Sequence, residues 1–282
     1  MRATEQLRNL GQSLWLDNIT RDLLDSGTLK HYIDELSVTG LTSNPTIFDH
    51  AITHSKSYDS EIRRLLSTDL SGEALFFELA VQDLTRATDL FAPIHERTAG
   101  VDGWVSLEVS PLLAYDAKAT VAEAKALHKK ANRPNLFIKI PGTKEGAPAV
   151  EEAIFSGVPV NVTLLFTRDH YLAAAEAYMR GLERRIAAGL SPEVRSVASL
   201  FVSRWGKATM DKVPDRDRDR LGAAIWPTGL RSVSGSARIG SLAAARELRG
   251  PSPTVAVCEH RHQGSQGVRC PVHRRVSRSQ HN

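Results

Sequence analysis

Lys139 sits inside the apolar run Leu136-Phe137-Ile138-Lys139-Ile140. A lysine flanked in this way is held where an ammonium is poorly solvated. Desolvation favours the neutral amine, and a neutral amine attacks carbonyls. The chemistry this suggests is Schiff-base formation on a sugar. A strand lysine can also pair with a carboxylate or snorkel at the strand's end, so its neighbours decide. Strand side chains alternate faces. Asp17 shares a face with Trp15, Glu108 with Ser106, Asn161 with Thr163, and Ser199 with Phe201, while Asn44 closes another such run. The opposite faces are mostly Leu, Ile and Val. A parallel barrel would aim Asp17, Asn44, Glu108, Lys139, Asn161, Thr163 and Ser199 into one cavity. Each buried polar group needs partners, so two carboxylates, two asparagines and a lysine converging are hard to explain as packing. They read as a site.

The elements that must position these residues follow one rhythm. Strands are predicted over 14–19, 39–44, 104–110, 136–140, 160–166 and 197–204. Between them, Leu29, Tyr32, Ile33 and Leu36 recur at helical spacing, with Thr28 as the expected N-cap. Further helices are predicted from about Ser57 to Ala99, over 117–131 and 151–155, and from a Thr167 cap to Gly189. Strand–helix alternation means parallel strands with crossover helices. Six such units, polar near their strands' C-terminal ends, predict an α/β fold of the TIM (β/α)8 barrel type. No GxGxxG or Walker pattern follows the first strand, which argues against a dinucleotide or NTP site.

Composition divides the chain near position 225. Residues 1–225 carry 27 Lys+Arg against 30 Asp+Glu, whereas 226–282 carry 9 Arg, no Lys and 2 Glu. A mildly acidic body thus bears a basic tail. Both cysteines, Cys258 and Cys270, lie in the tail. A cysteine-free body fits a reducing compartment. With no membrane-spanning run and no signal peptide at the start, a cytoplasmic location is expected.

The stretches LWLDNIT (14–20), TGLTSNPTIF (39–48), SLEVSP (106–111), FIKIPGT (137–143), VNVTLLF (160–166) and SLFVSRW (199–205) occur in this order. At these residues the chain resembles transaldolase, from about Gln12 to Ile225. The resemblance implies transfer of a dihydroxyacetone unit from sedoheptulose 7-phosphate to glyceraldehyde 3-phosphate, a step of the pentose phosphate route. It implies Lys139 as the Schiff-base nucleophile, and Glu108 as proton shuttle through a water ordered by Thr163. Asp17 would take the C4 hydroxyl proton as the C3–C4 bond breaks. Asn44 and Asn161 would hold substrate hydroxyls and the carbanion-like intermediate. Ser199 and Arg204 would grip the phosphate, although a helix cap and a solvated charge are their ordinary roles. The protonated imine is the electron sink, so neither cofactor nor metal is implied. The implied partners are sugar phosphates, not a specific nucleic acid or a membrane. Another class I aldolase is the nearest rival; Glu108 beside Asn161 and Thr163 favours transaldolase.

Residues 226–282 do not continue this pattern. Beyond Leu242–Leu248 they show no sustained strand or helical period. Cys258, His260, His262, Cys270 and His273 are soft-metal ligand types, but their spacing matches no common zinc module. The nine arginines could meet nucleic-acid phosphates, but no aromatic residues interleave with them for stacking. A reading-frame change explains more. Codons allowed for Cys258–Cys270, read one base later, spell ASTGTKDPKASD, and Pro253–Val257 can give QRLLC. The string resembles the family's seventh-strand region. Shifted alike, Trp226–Gly235 can give GQRAYGQYRE, like the helix before that strand. The tail, 226–282, therefore reads as an out-of-frame, basic, disordered replacement for barrel strands 7 and 8. A genuine variable tail and a non-functional truncated relic are the alternatives. Six strands leave two open edges, so poor folding and little or no activity are expected of this form.

Overall fold

The computed structural model describes residues 2–209, 211–217 and 220, and the backbone of two short strands, 254–258 and 272–274. The order is α1 (Ala3–Asn9), β1 (Leu14–Asp17), α2 (Arg21–Asp25), α3 (Thr28–Leu36), β2 (Val38–Thr42) and α4 (Pro45–His54). Then come α5 (Asp59–Leu66), α6 (Gly72–Arg97), β3 (Trp104–Glu108), α7 (Ala117–Ala131), β4 (Leu136–Pro141) and α8 (Gly146–Phe155). The body ends with β5 (Val160–Leu165), α9 (Arg168–Ala187), β6 (Ser196–Phe201) and α10 (Ser203–Ala208). β7 (Thr254–Cys258) and β8 (Val272–Arg274) follow.

Strands β1 to β6 pair in chain order, every pair parallel. They curl into half of a (β/α) barrel, as the alternating pattern predicts. The sheet separates two apolar layers. Leu16, Leu41, Val105, Leu107, Leu136, Ile138, Ile140, Val160, Val162 and Leu200 face outward into one large core with the helices. Trp15, Trp104, Phe137 and Val197 form a separate inner cluster. Phe137 stacks on Trp104 with centroids 4.0 Å apart and on Trp15 at 6.3 Å. This aromatic layer fills the inside of the sheet below the polar residues. Gly40 makes room for it: a Cβ there would lie 2.6 Å from the Trp15 indole.

Helix starts follow side-chain caps, which satisfy backbone N–H groups the first turn leaves unpaired. Asp116 accepts from Ala119 N and Thr167 from His170 N, the latter as its sequence position predicts. Thr28 differs: it is the first helical residue of α3, and Gly27 is the cap. The single helix predicted from Ser57 to Ala99 divides into a 3-10 turn at Lys56–Tyr58, α5 and α6. The break between α5 and α6 holds Asp69 in left-handed backbone (φ 59°), a conformation right-handed helices exclude, and α6 opens at Gly72, also at positive φ (55°). The strand predicted over 197–204 ends at Phe201, and Ser203 and Arg204 belong to α10. Helices α1, α2 and α4 have no counterpart in the apolar periodicity; α1 has no buried residue and α2 only Leu24.

The tail departs from expectation in one respect. Thr254–Cys258 runs parallel to β6, and β8 pairs antiparallel with β7. A five-residue run alternating through Val255 and Val257 is too short to register as a sustained period. Its β-branched residues still suit a free sheet edge. β7 thus takes the direction a seventh strand of a parallel barrel would have, β8 does not, and among the described residues no pairing joins β8 to β1. The helical period at Leu242–Leu248 lies outside the described residues.

Candidate active site

Register sets the site. Glu108 on β3 stands opposite Lys139 on β4, and Lys139 opposite Asn161 on β5. Three polar side chains therefore form a row across adjacent strands, directly above the aromatic layer. Lys139, Asn161 and Thr163 are buried, and the Glu108 side chain is 14% exposed. Lys139 Nζ lies 3.1 Å from the Glu108 carboxylate and donates to the Ser43 carbonyl at 2.8 Å. The lysine is buried as predicted, but it is not an isolated amine: a carboxylate holds it. The same geometry suits chemistry, because a proton leaving the ammonium has an acceptor already in contact.

Asn161 is fixed on both sides. Its Nδ2 donates to Ser106 Oγ at 3.1 Å, and its Oδ1 accepts from Ser199 Oγ at 2.8 Å. The Ser43 hydroxyl donates to the Ser106 carbonyl at 2.8 Å. A hydrogen-bonded belt thus joins the segment after β2 to β3, β5 and β6 and holds the lysine's neighbours in place. Sequence reasoning left two members out of the site: Ser106, noted only as sharing Glu108's face, and Ser43. Ser43 acts on Lys139 through its backbone carbonyl, which leaves no side-chain signature; its place just before Asn44 was the only hint.

The other predicted residues flank the belt. Asp17 is the last residue of β1, half-buried, in register with Thr42, which stands opposite Ser106. Asn44 lies beyond the end of β2 and caps α4, its Oδ1 accepting from Ile47 N at 2.9 Å, with Pro45 in the first turn. Thr163 lies within a register irregularity between Val162 and Leu165, where Leu164 takes φ 58°. A bulge of this kind re-aims side chains. Here Leu165 turns into the outer core, against Gly142, where a Cβ would come within 2.3 Å of it. Arg204 is exposed on α10 at the C-terminal rim of the sheet, its guanidinium 4.6 Å above the Phe201 ring and 5.8 Å from that of Phe166. It stands apart from the belt. Among the described residues no group of three or more His, Cys, Asp or Glu could hold a metal ion. Of the tail's ligand-type residues, His260, His262 and Cys270 lie outside the described residues, as do the side chains of Cys258 and His273.

The family described as transaldolase/fructose-6-phosphate aldolase matches residues 14–227. The chain belongs to that family. A transaldolase of Thiobacillus denitrificans is 47% identical over 205 residues, covering 72% of this chain and 57% of that protein. A transaldolase of Trichodesmium erythraeum is 40% identical over 235 residues, 83% of this chain and 62% of that protein. Transaldolase 2 of Nostoc punctiforme is 42% identical over 200 residues, 71% of this chain and 52% of that protein. The chain therefore spans between half and two thirds of the length of these curated relatives. Every candidate site residue of this transaldolase-family chain falls within the matched segment.

Proposed function

We propose that this chain carries the Schiff-base machinery of a transaldolase. The supporting observation is the buried Lys139–Glu108 contact at 3.1 Å, in register with Asn161. In this reading Glu108 takes a proton from Lys139, and the freed amine attacks the ketose carbonyl. The carbinolamine loses water as Glu108, through a water held by Thr163, returns the proton. Asp17 takes the C4 hydroxyl proton, the C3–C4 bond breaks, and its electrons pass into the protonated imine. The aldose leaves. The enamine then adds to the acceptor aldehyde, and hydrolysis frees Lys139. Sedoheptulose 7-phosphate is the donor and glyceraldehyde 3-phosphate the acceptor, with Asn44 and Asn161 on substrate hydroxyls and Arg204 on the phosphate by charge-assisted hydrogen bonds. A cytoplasmic setting suits these substrates; no helix among the described residues is long and apolar enough to cross a membrane.

The family's description also names a fructose-6-phosphate aldolase, which would release free dihydroxyacetone without needing an acceptor. Incubation with fructose 6-phosphate, with and without erythrose 4-phosphate, separates the two. The transaldolase reading expects sedoheptulose 7-phosphate with the acceptor and negligible free dihydroxyacetone without it. Acceptor-independent release of dihydroxyacetone would make the chain an aldolase.

Residues 226–282 are, in this account, the product of a shifted frame and no part of the catalytic unit. Two observations support this: the family match stops at residue 227, and charge composition changes at the same place.

A further inference from the structure

Asp83, on α6, is fully buried and far along the chain from every residue given a role above. Its carboxylate accepts from Arg21 Nε at 2.9 Å and from Tyr58 Oη at 2.8 Å. Tyr58 Oη in turn accepts from the Arg21 backbone N–H at 2.9 Å, and the Arg21 guanidinium lies 4.6 Å above the Tyr58 ring. Arg21 Nη2 also donates to Gln82 at 3.3 Å. A second set of bonds runs alongside: Asp22 accepts from Ser55 Oγ at 2.8 Å and from Ser57 Oγ. A buried ion pair is a poor source of net stability, because desolvation offsets its attraction. Its geometric effect is clear, however. Arg21 opens α2, four residues after Asp17, with buried Ile19 and the capping Thr20 between them. Tyr58 follows α4, whose cap is Asn44.

We propose that Arg21, Tyr58 and Asp83 are positioning residues: they clamp the segments following β1 and β2 onto α6, and so fix Asp17 and Asn44 relative to Lys139. The inference rests on the Schiff-base reading and deepens it. The hydrogen bonds of Arg21, Tyr58 and Asp83 given above join α2, the turn after α4 and α6, and none of them goes to β3, β4 or β5. Lys139 meets the clamped segment at the Ser43 carbonyl, while its ion pair with Glu108 lies on β3 and β4; imine formation therefore depends less on the clamp than carbon–carbon cleavage, which uses Asp17.

The test compares the full wild-type chain with Asp83→Asn and Tyr58→Phe in two assays. Borohydride trapping of dihydroxyacetone reads imine formation; single-turnover release of glyceraldehyde 3-phosphate from fructose 6-phosphate reads cleavage. The proposal expects cleavage to slow at least tenfold while trapping stays within about twofold. Equal losses in both assays, or none in either, would overturn it. Amide hydrogen exchange gives a readout independent of turnover. In Asp83→Asn, exchange should accelerate at residues 18–20 and 44–47 while β3 to β5 stay protected. Uniform acceleration, or unchanged protection at those loops, would overturn the clamp. Wild-type protein that neither traps nor cleaves would instead overturn the Schiff-base reading, with the exchange experiment still deciding the clamp.

Discussion

Ser199 shows how a residue's role depends on what it touches. By resemblance it grips a phosphate; in the structure its hydroxyl donates to Asn161 Oδ1 at 2.8 Å. The two roles predict different losses. If Ser199 serves chiefly to orient Asn161, Ser199→Ala should raise the concentration for half-maximal borohydride trapping of dihydroxyacetone, which has no phosphate, by about 5-fold, the worth of one neutral hydrogen bond. Fructose 6-phosphate should suffer to the same degree. A loss confined to the phosphorylated substrate would return Ser199 to the phosphate. At this scale the types and faces of Lys139, Glu108 and Asn161 were legible, because alternation along a strand fixes which side chains share a face. Their exact partners were not. Register between strands decides that Glu108 meets Lys139, and the Ser43 carbonyl is invisible to any side-chain pattern.

At the scale of elements, the outer faces of the strands and the long helices were legible from periodicity and caps. The short, mostly exposed α1 and α2 were not, since they bury too little apolar surface to leave a pattern. The inner aromatic layer depends on Gly40, which sequence reasoning did not single out; its need arises only because Trp15 crosses from β1 to fill the space a Cβ would take. Gly40→Ala should cost about 1–3 kcal/mol through overpacking, read as a lower midpoint in urea. Trp15→Leu should relieve part of that cost in the double variant. Additive losses would show that the two residues do not compete for space. Helix α7 carries a second element-scale prediction. Burial holds His128 below the ordinary histidine value of 6.5, and its Nε2 has no hydrogen-bond partner among the described residues. His95 is lowered too, by burial and by nearby Arg195. A histidine lowered on folding lets the unfolded chain bind more protons below about 6.5. Stability should therefore be full above that pH and fall as the pH drops through and below it. Unfolding free energies at pH 7.5, 6.5 and 5.5 check this, and His128→Gln should flatten part of the slope. Stability that rises on acidification, or a slope unchanged by the substitution, would contradict it.

At the scale of the whole molecule, β1 to β6 carry every proposed reacting group, and the sheet then departs from the barrel pattern with an antiparallel β8. The segment that lies along β6, Thr254–Cys258, overlaps the stretch whose shifted reading resembles the family's seventh strand. If the frame account holds, sequencing the gene across codons 218–230 and past the stop will show that removing one base, or restoring two, opens a frame encoding the ASTGTKDP-like strand. No such frame would make the tail genuine. Slow turnover is expected of the present chain, because among the described residues no strand pairs with the β1 edge to complete the ring. Imine formation needs only what the described half-barrel already assembles. The most direct measurement is therefore borohydride reduction of the full chain with dihydroxyacetone, followed by peptide mapping. The account predicts one reduced adduct, on Lys139, absent in Lys139→Arg. No adduct, or one shared with exposed lysines such as Lys118, would contradict the Schiff-base assignment.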